Sequence, residues 1–134
     1  MKIGIVIGRI GGIDGVALET EKWITVLGRL GHEVRVLTGE VEGACPGATV
    51  LPELAFSHPA TVIEQDDAFF VQDADEAELL ARLRRDAAFI ERRVLAWLDA
   101  TGIELLITQN CTTLPCHLTM GMALKRVIED TGIP

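Results

Sequence analysis

Residues 2–8, KIGIVIG, run straight into residues 9–23, RIGGIDGVALETEKW, and the reading of this junction decides the fold. A β-branched apolar run that ends in glycine has the pattern of a fully buried strand. A strand buried on both faces belongs near the middle of its sheet. Beyond the glycines the spacing changes: Val16, Trp23, Leu27 and Leu30, with Ile24 beside them, recur at steps of three, four and seven. That is one apolar face of a helix, and Gly31 stands where a left-handed C-terminal cap is wanted. A strand, a glycine-bearing loop and a helix in direct succession predict the first part of a βαβ unit.

Working outward, GHEVRVLTG gives a second strand over residues 33–38 after a minimal connection. Residues 40–73 are the least legible stretch, because GACPG, LPELAFSHPA and EQDD break any period. A short strand near 49–51 followed by a long irregular excursion is expected there. Asp73 with Glu76 three residues on resembles a capping box. It opens a long helix over 74–100 whose apolar face is Leu79, Leu83, Ala87, Ile90, Val94 and Trp97 or Leu98, closed by Gly102. ELLIT, 104–108, reads as another buried strand and QNCTTLP as a loop. A last helix spans 114–130, with Pro115 near its start and Gly132 after its end. Strands alternating with helices across short connections predict an α/β chain with an open, mainly parallel, Rossmann-like sheet and helices on both faces. Residues 1–134 are expected to form one such domain.

Composition agrees. Of the 134 residues 49% are hydrophobic, yet only 4% are aromatic and none is Tyr, so Ile, Leu, Val and Ala must build the core. The formal net charge is −8, and basic residues sit beside acids, as in ARLRRDAAFIERR, so there is no stripe for a phosphate backbone. Nucleic acid is therefore not an expected partner. The apolar runs are short and broken by charges, and the N-terminus has no signal-peptide pattern. The expectation is a soluble cytoplasmic protein without a transmembrane segment. Cys45, Cys111 and Cys116 are odd in number, which favours reduced thiols.

In open α/β sheets ligands bind at the carboxyl ends of the strands, where the loop from residue 9 to 15 must lie. Gly11, Gly12 and Gly15 permit backbone conformations and close approach that side chains forbid. The N–H groups of Val16 and Ala17, if unpaired, would attract an anion such as a diphosphate; in the alternative reading Asp14 only caps the helix. The glycine spacing fits neither G-x-G-x-x-G nor the P-loop. Glu40 lies near where a ribose-binding acid belongs. Cys111, Cys116 and His117 form C-x4-C-H without a fourth ligand or paired spacing, so no metal is assigned. Asn110 and His117 sit at the mouth of the strand over 104–108, where contact with a substrate is expected. His32 and His58 have no recognisable partner, and Asp66, Asp67, Asp73, Asp75, Glu76 and Glu78 read as solvated acids around a helix start. No nucleophile elbow or carboxylate pair assigns a catalytic residue.

Residues 8–40, GRIGGIDGVALETEKWITVLGRLGHEVRVLTGE, resemble the N-terminus of GT-B fold, nucleotide-sugar-dependent, retaining glycosyltransferases of the family 4 or group 1 type. Residues 105–134, LLITQNCTTLPCHLTMGMALKRVIEDTGIP, are similar to the next unit of the same family. The resemblance implies two Rossmann-like domains, with acceptor held mainly by the first and nucleotide-sugar mainly by the second. It places Gly11, Gly12, Asp14 and Gly15 at the cleft beside sugar-diphosphate and acceptor, Glu19 and Lys22 on the helix below, and Asn110 on the same cleft. The nucleotide-sugar is a substrate, and no cofactor is implied.

Relative to that family, the His-containing loop of the next unit and the whole donor domain lie outside these residues. The expectation is the acceptor-side part of a GT-B enzyme, not competent alone. TGIP repeats the pattern by which GHEV and GIEL launch strands, so a sheet edge is expected to need a further strand or chain. Two other readings remain open: a non-catalytic module that pairs with itself or with a donor-domain chain, and a small dinucleotide-binding domain.

Overall fold

The computed structural model describes residues 1–134, and in it the first strand outruns the apolar stretch that announces it. Strand β1 spans Lys2–Gly11 and strand β2 spans Glu33–Glu42, against the expected 2–8 and 33–38. The extension comes from backbone pairing: Arg9, Ile10 and Gly11 lie opposite Glu40, Val41 and Glu42. Paired N–H and C=O groups keep a strand going where side-chain apolarity has faded. Between the two halves the pleat slips. Ile5, Ile7 and Ile10 share one apolar cluster with Val36 and Val41, which strict alternation along either strand forbids. Gly8 and Gly39 stand at the slip.

Strand β3, Thr49–Val50, falls where a short strand is expected, and β4 spans Leu105–Gln109. The four strands form one sheet in the order β3-β2-β1-β4, all parallel, with β1 inside as its apolar run requires. The chain is thus α/β with a Rossmann-like open sheet. β4 is an edge, half-buried along its whole length. Leu106 N–H donates to the Pro134 carbonyl at 2.8 Å, so residue 134 already lies along that edge.

Helix α1, Gly15–Arg29, covers one face of the sheet. Ala17 and Thr20 are buried, and Val16 and Ile24 pack on the isoleucines of β1. The buried stripe is therefore rotated from the one expected, because Trp23 and Leu30 are 45% and 67% exposed. Thr20 tolerates burial because its hydroxyl donates to the Val16 carbonyl at 2.8 Å.

The opposite face carries α3, Glu76–Thr101, and α4, Leu118–Thr131, packed on each other and on Val6 and Leu37. Leu83, Ala87, Ile90, Val94, Trp97 and Leu98 are all buried, as the periodicity of α3 predicts. A Cβ at Gly4 would come within 2.8 Å of the Trp97 ring, so the glycine lets the helix sit close on the strand. The cap of α3 is Asp75 rather than Asp73: its Oδ1 accepts from Ala77 and Glu78 N–H at 2.9 and 3.1 Å. Both aspartates precede an acid by three residues, so spacing alone does not choose between them. Helix α4 starts four residues later than expected, because His117, not Leu114 or Pro115, caps it.

The excursion over residues 40–73 is more ordered than its sequence suggests. A short 3-10 turn at Pro52–Leu54 leads into helix α2, Pro59–Phe69. The buried residues of α2 are Thr61 and Glu64, while Val62, Ile63 and Phe69 are exposed. A helix that buries polar groups and exposes apolar ones has no apolar period to read. No helix is long and apolar enough to cross a membrane.

Candidate functional site

Two glycines let the chain fold over the carboxyl half of its own sheet. A Cβ at Gly39 would collide with the backbone of Ala55, and one at Gly8 would meet the Phe56 ring at 2.6 Å. The segment after Pro52–Leu54 therefore crosses β1 and β2 directly, and Phe56 is delivered to the strand ends. There a cleft of 210 Å³ opens between the β1 side, with Arg9 and Asp14, and the β4 side, with Gln109, Asn110 and Cys116, walled by Phe56. Arg9 and Phe56 are not among the residues that sequence reasoning singles out. The signal for Phe56 was Gly8 itself, a glycine inside a strand that marks a close approach.

Asp14 has every oxygen engaged. Its Oδ1 accepts from Val16 and Ala17 N–H, each at 2.9 Å, and its Oδ2 accepts from Arg9 Nη2 at 2.7 Å and Nε at 3.2 Å. The Ala17 N–H and the Arg9 guanidinium hold this carboxyl below its ordinary range. The expectation that the first-turn amides await an anion is thereby overturned: a carboxylate of the same chain already occupies them. Arg9 is left half-exposed at the cleft, facing Glu40 and Glu42 as well as Asp14. Glu40, near the position of a ribose-binding acid, accepts instead from Ser57 Oγ at 2.9 Å.

The loop glycines play different parts. Gly11 and Gly12 have φ of 86° and 72°, the left-handed region that favours glycine, and a Cβ on either would run into Glu42. Their need is internal to the β1–β2 turn-off. Gly15 has no positive φ, and a Cβ there would meet nothing within 4 Å. Nothing in the chain requires a glycine at the first position of α1.

Asn110 lies in the cleft, with a φ of 56° that no other non-glycine residue shares in sign. Glu19 and Lys22 lie outside it. They pair with each other at 3.4 Å on the outer face of α1, and Glu19 also accepts from Trp23 Nε1 at 3.0 Å.

His117 is likewise away from the cleft, 3% exposed beneath α2. Its Nε2 lies 2.8 Å from the Glu53 carbonyl and 3.2 Å from Thr61 Oγ1; facing a carbonyl, which only accepts, this nitrogen carries the proton. Nδ1 lies 3.2 Å from both Met120 N and Glu64 Oε1. A neutral ring accepts the Met120 N–H and caps α4, whereas a protonated ring donates to Glu64. Burial alone would raise the Glu64 carboxyl, but hydrogen bonds from His117 and Thr119 outweigh it and hold it low. The C-x4-C-H run does not converge: Cys111 is buried with Sγ on the Val6 carbonyl at 3.2 Å, and Cys116 is exposed.

The chain is a Rossmann-like α/β unit with a cleft at the carboxyl ends of β1 and β4. Among curated proteins, it is similar to the mannosylglucosylglycerate synthase of Thermotoga maritima, with 29% identity over 136 residues, 97% of this chain and 30% of that protein. It is 25% identical over 134 residues to the mannosylglucosylglycerate synthase of Petrotoga mobilis, covering 99% of this chain and again 30% of the relative. These similarities support a relationship to glycosyltransferases, and the chain spans less than a third of the length of the relatives it matches. No family model and no solved structure matches it.

Proposed function

We propose that these residues form the acceptor-side wall of a retaining, GT-B-type glycosyltransferase that uses a nucleotide-sugar. The observation that carries the reading is the similarity to two glycosyltransferases along 97% and 99% of the chain. The cleft supports it, because Arg9, Gln109, Asn110 and the ring of Phe56 put donors, acceptors and an apolar surface at the ligand end of the sheet. Gly15 supports it as well, since an open, unstrained glycine at a helix start leaves room for a ligand to approach the backbone. By the names of the relatives, a mannosyl group is the unit transferred and a glucosylglycerate the acceptor. Stabilising a departing diphosphate needs fixed dipoles and cations from both walls of such a cleft, so the reading assigns that role to a donor domain beyond these residues.

The test is a transfer assay with GDP-mannose and glucosylglycerate. The 134-residue chain alone is expected to show no transfer, and the same chain joined to the donor half of the Thermotoga maritima relative is expected to restore it. Proton NMR of the product reads whether the anomeric configuration is retained. Inversion, or full activity from the chain alone, would overturn the proposal.

A second reading, an assembly module, draws on the open β4 edge, where only Pro134 pairs with Leu106. A concentration-dependent dimer in sedimentation velocity, lost when β4 backbone pairing is blocked, would favour it. The dinucleotide reading has lost its main support, since Asp14 fills the amides a pyrophosphate would use.

A further inference from the structure

Helix α2 is amphipathic in the reverse sense. Its inner side is polar and tethered: Thr61 Oγ1 lies 3.2 Å from His117 Nε2, Glu64 Oε1 lies 3.2 Å from His117 Nδ1, and Gln65 Nε2 donates to the Pro115 carbonyl at 2.7 Å. These tethers fix the rotation of the helix about its axis, so its apolar side cannot turn inward. That side carries Val62, Ile63, Phe69 and Phe70, all exposed, and Val71 continues it past the cap. Positions i, i+1, i+7 and i+8 share one helix face, and here they make a stripe two turns long. Asp66 falls in the middle of the same face and is also exposed. Single exposed apolar side chains are ordinary, whereas a contiguous stripe with a polar surround marks an interaction surface.

Charge says what docks there. From residue 36 to residue 81 the chain has ten acids and no Lys or Arg. Asp73, Asp75, Glu76 and Glu78 follow the C-terminal end of the stripe, all exposed. Of the acids from Asp66 to Glu78 only Asp67 has an ion-pair partner, Arg82. An anionic lipid surface is repelled by such a collar. A second copy set on this face by a two-fold axis brings Asp66 towards its own counterpart, like charge against like. The other exposed apolar face, Trp23, Val26 and Leu30 on α1, has Lys22 and Arg29 beside it as well as Glu19, so it lacks this single sign of charge. A two-turn ridge of side chains fits the groove of a second helix, and cations flanking that helix's own apolar stripe meet the free acids. We propose that the outer face of α2 docks a basic amphipathic helix of a partner protein. The partner's apolar stripe lies on Val62, Ile63, Phe69 and Phe70, and its cations face Asp66 and the acids of residues 73–78. The interaction uses no residue of the strand-end cleft and is independent of glycosyl transfer.

The experiment is an amide NMR titration of the whole 134-residue chain with a synthetic leucine–lysine amphipathic helix about four turns long. Its comparisons are the same peptide with Glu for Lys, and a scrambled leucine–lysine peptide of equal charge without an apolar stripe. Saturable shifts from Val62 to Glu78 are expected with the first peptide, with an affinity that falls as salt rises. The other two are expected to bind at least about tenfold more weakly. Phe70→Ser, at a side chain 76% exposed, is expected to weaken binding about tenfold with Tm unchanged, and Asp66→Asn to weaken it several-fold. The proposal is overturned by equal binding of the scrambled or the glutamate peptide, by shifts centred on Trp23 and Val26, or by binding unchanged in both variants. Co-sedimentation with phosphatidylglycerol or phosphatidylcholine vesicles that Phe70→Ser abolishes would give the face to lipid, and dilution shifts at these residues without peptide would give it to a second copy; either result overturns the proposal. The chain joined to the donor half of the Thermotoga maritima relative is expected to show the same peptide shifts, whether or not it transfers sugar. Loss of binding in that joined chain would give the face to the donor domain and would also overturn the proposal.

Discussion

Arg9 Nη2 donates to Asp14 Oδ2 at 2.7 Å, while the other oxygen of the same carboxylate caps α1. One side chain thus ties the last residues of β1 to the first turn of the helix that follows. This pairing converts what the sequence offers as an anion site into a self-filled one, and it leaves Arg9 at the cleft in a fixed orientation.

Replacing Asp14 by Ala should cost about 1 kcal/mol, the usual loss of a helix N-cap, seen as a lower midpoint in urea. The effect depends on pH with a definite sign. The Asp14 carboxyl sits below its ordinary value because Ala17 N–H and Arg9 favour the charged form, whereas the unfolded chain titrates near 3.9. Its stabilisation is therefore complete above that unfolded value and is lost as pH falls through the folded one. The gap between the native chain and Asp14→Ala should narrow steadily on acidification below about pH 4. A gap that widened in acid would refute the assignment.

Glu64 and His117 make a sharper case because both are buried, 4% and 3% exposed at the side chain. Glu64→Leu leaves His117 and the Thr119 N–H without their carboxylate, and removing one partner of a buried pair costs about 3–5 kcal/mol. Thermal unfolding should shift down by roughly 10 °C or more. Hydrogen exchange should speed up first at Thr119, whose amide donates to the Glu64 carboxylate. Glu64 is also held below the ordinary carboxylate range, so its contribution too is present at neutral pH and lost in acid. Unchanged exchange at the start of α4 would count against this network as the anchor of that helix.

The glycines separate folding from binding. Gly11→Ala forces a side chain into the left-handed region and into the Glu42 carbonyl, at a cost of about 2 kcal/mol or more. Gly15→Ala meets open space at a helix start and should stabilise by about 0.5 kcal/mol. In the enzyme restored with a donor domain, however, the proposal that a ligand approaches this backbone predicts that Gly15→Ala raises KM or lowers kcat. If it gains stability with kinetics untouched, Gly15 has no part in the cleft.

Much of the fold is legible because its signals are local and apolar. The run into Gly8, the steps of three and four from Leu83 to Leu98, and the capping glycines 102 and 132 each act within their own element, and each fell within a few residues of its place. What escaped depends on contacts across the chain. Helix α2 buries Glu64 and Thr61 against His117 and Thr119, a polar interface that no hydrophobic period announces. The end of β1 was set by pairing with Glu40, Val41 and Glu42, and the true face of α1 by which side the isoleucines of β1 present. That Asn110 and Asp14 line the strand-end cleft was legible because strand ends and caps have sequence signatures. His117 was placed at the same strand mouth, but one turn of chain carried it underneath. Arg9 and Phe56 were missed because their position depends on Gly8 and Gly39 admitting a distant segment.

Cys116 offers a direct reporter of the cleft, since it lines the cleft and is exposed, whereas Cys111 is buried and its thiol is pushed up to about 12 by burial. Cys45 is partly buried and its thiol is raised as well. Alkylation proceeds through the thiolate, so iodoacetamide at neutral pH should modify Cys116 first and leave Cys111 intact in the folded chain. Mass spectrometry of the modified peptides reads the order. An acceptor that enters between Arg9 and Asn110 would cover Cys116 and slow this reaction. Saturable protection of Cys116 by glucosylglycerate, absent in Arg9→Ala, would tie the acceptor to this wall. Labelling at one rate with and without it would remove the acceptor from this cleft, because no ligand seated there leaves that sulfur equally open.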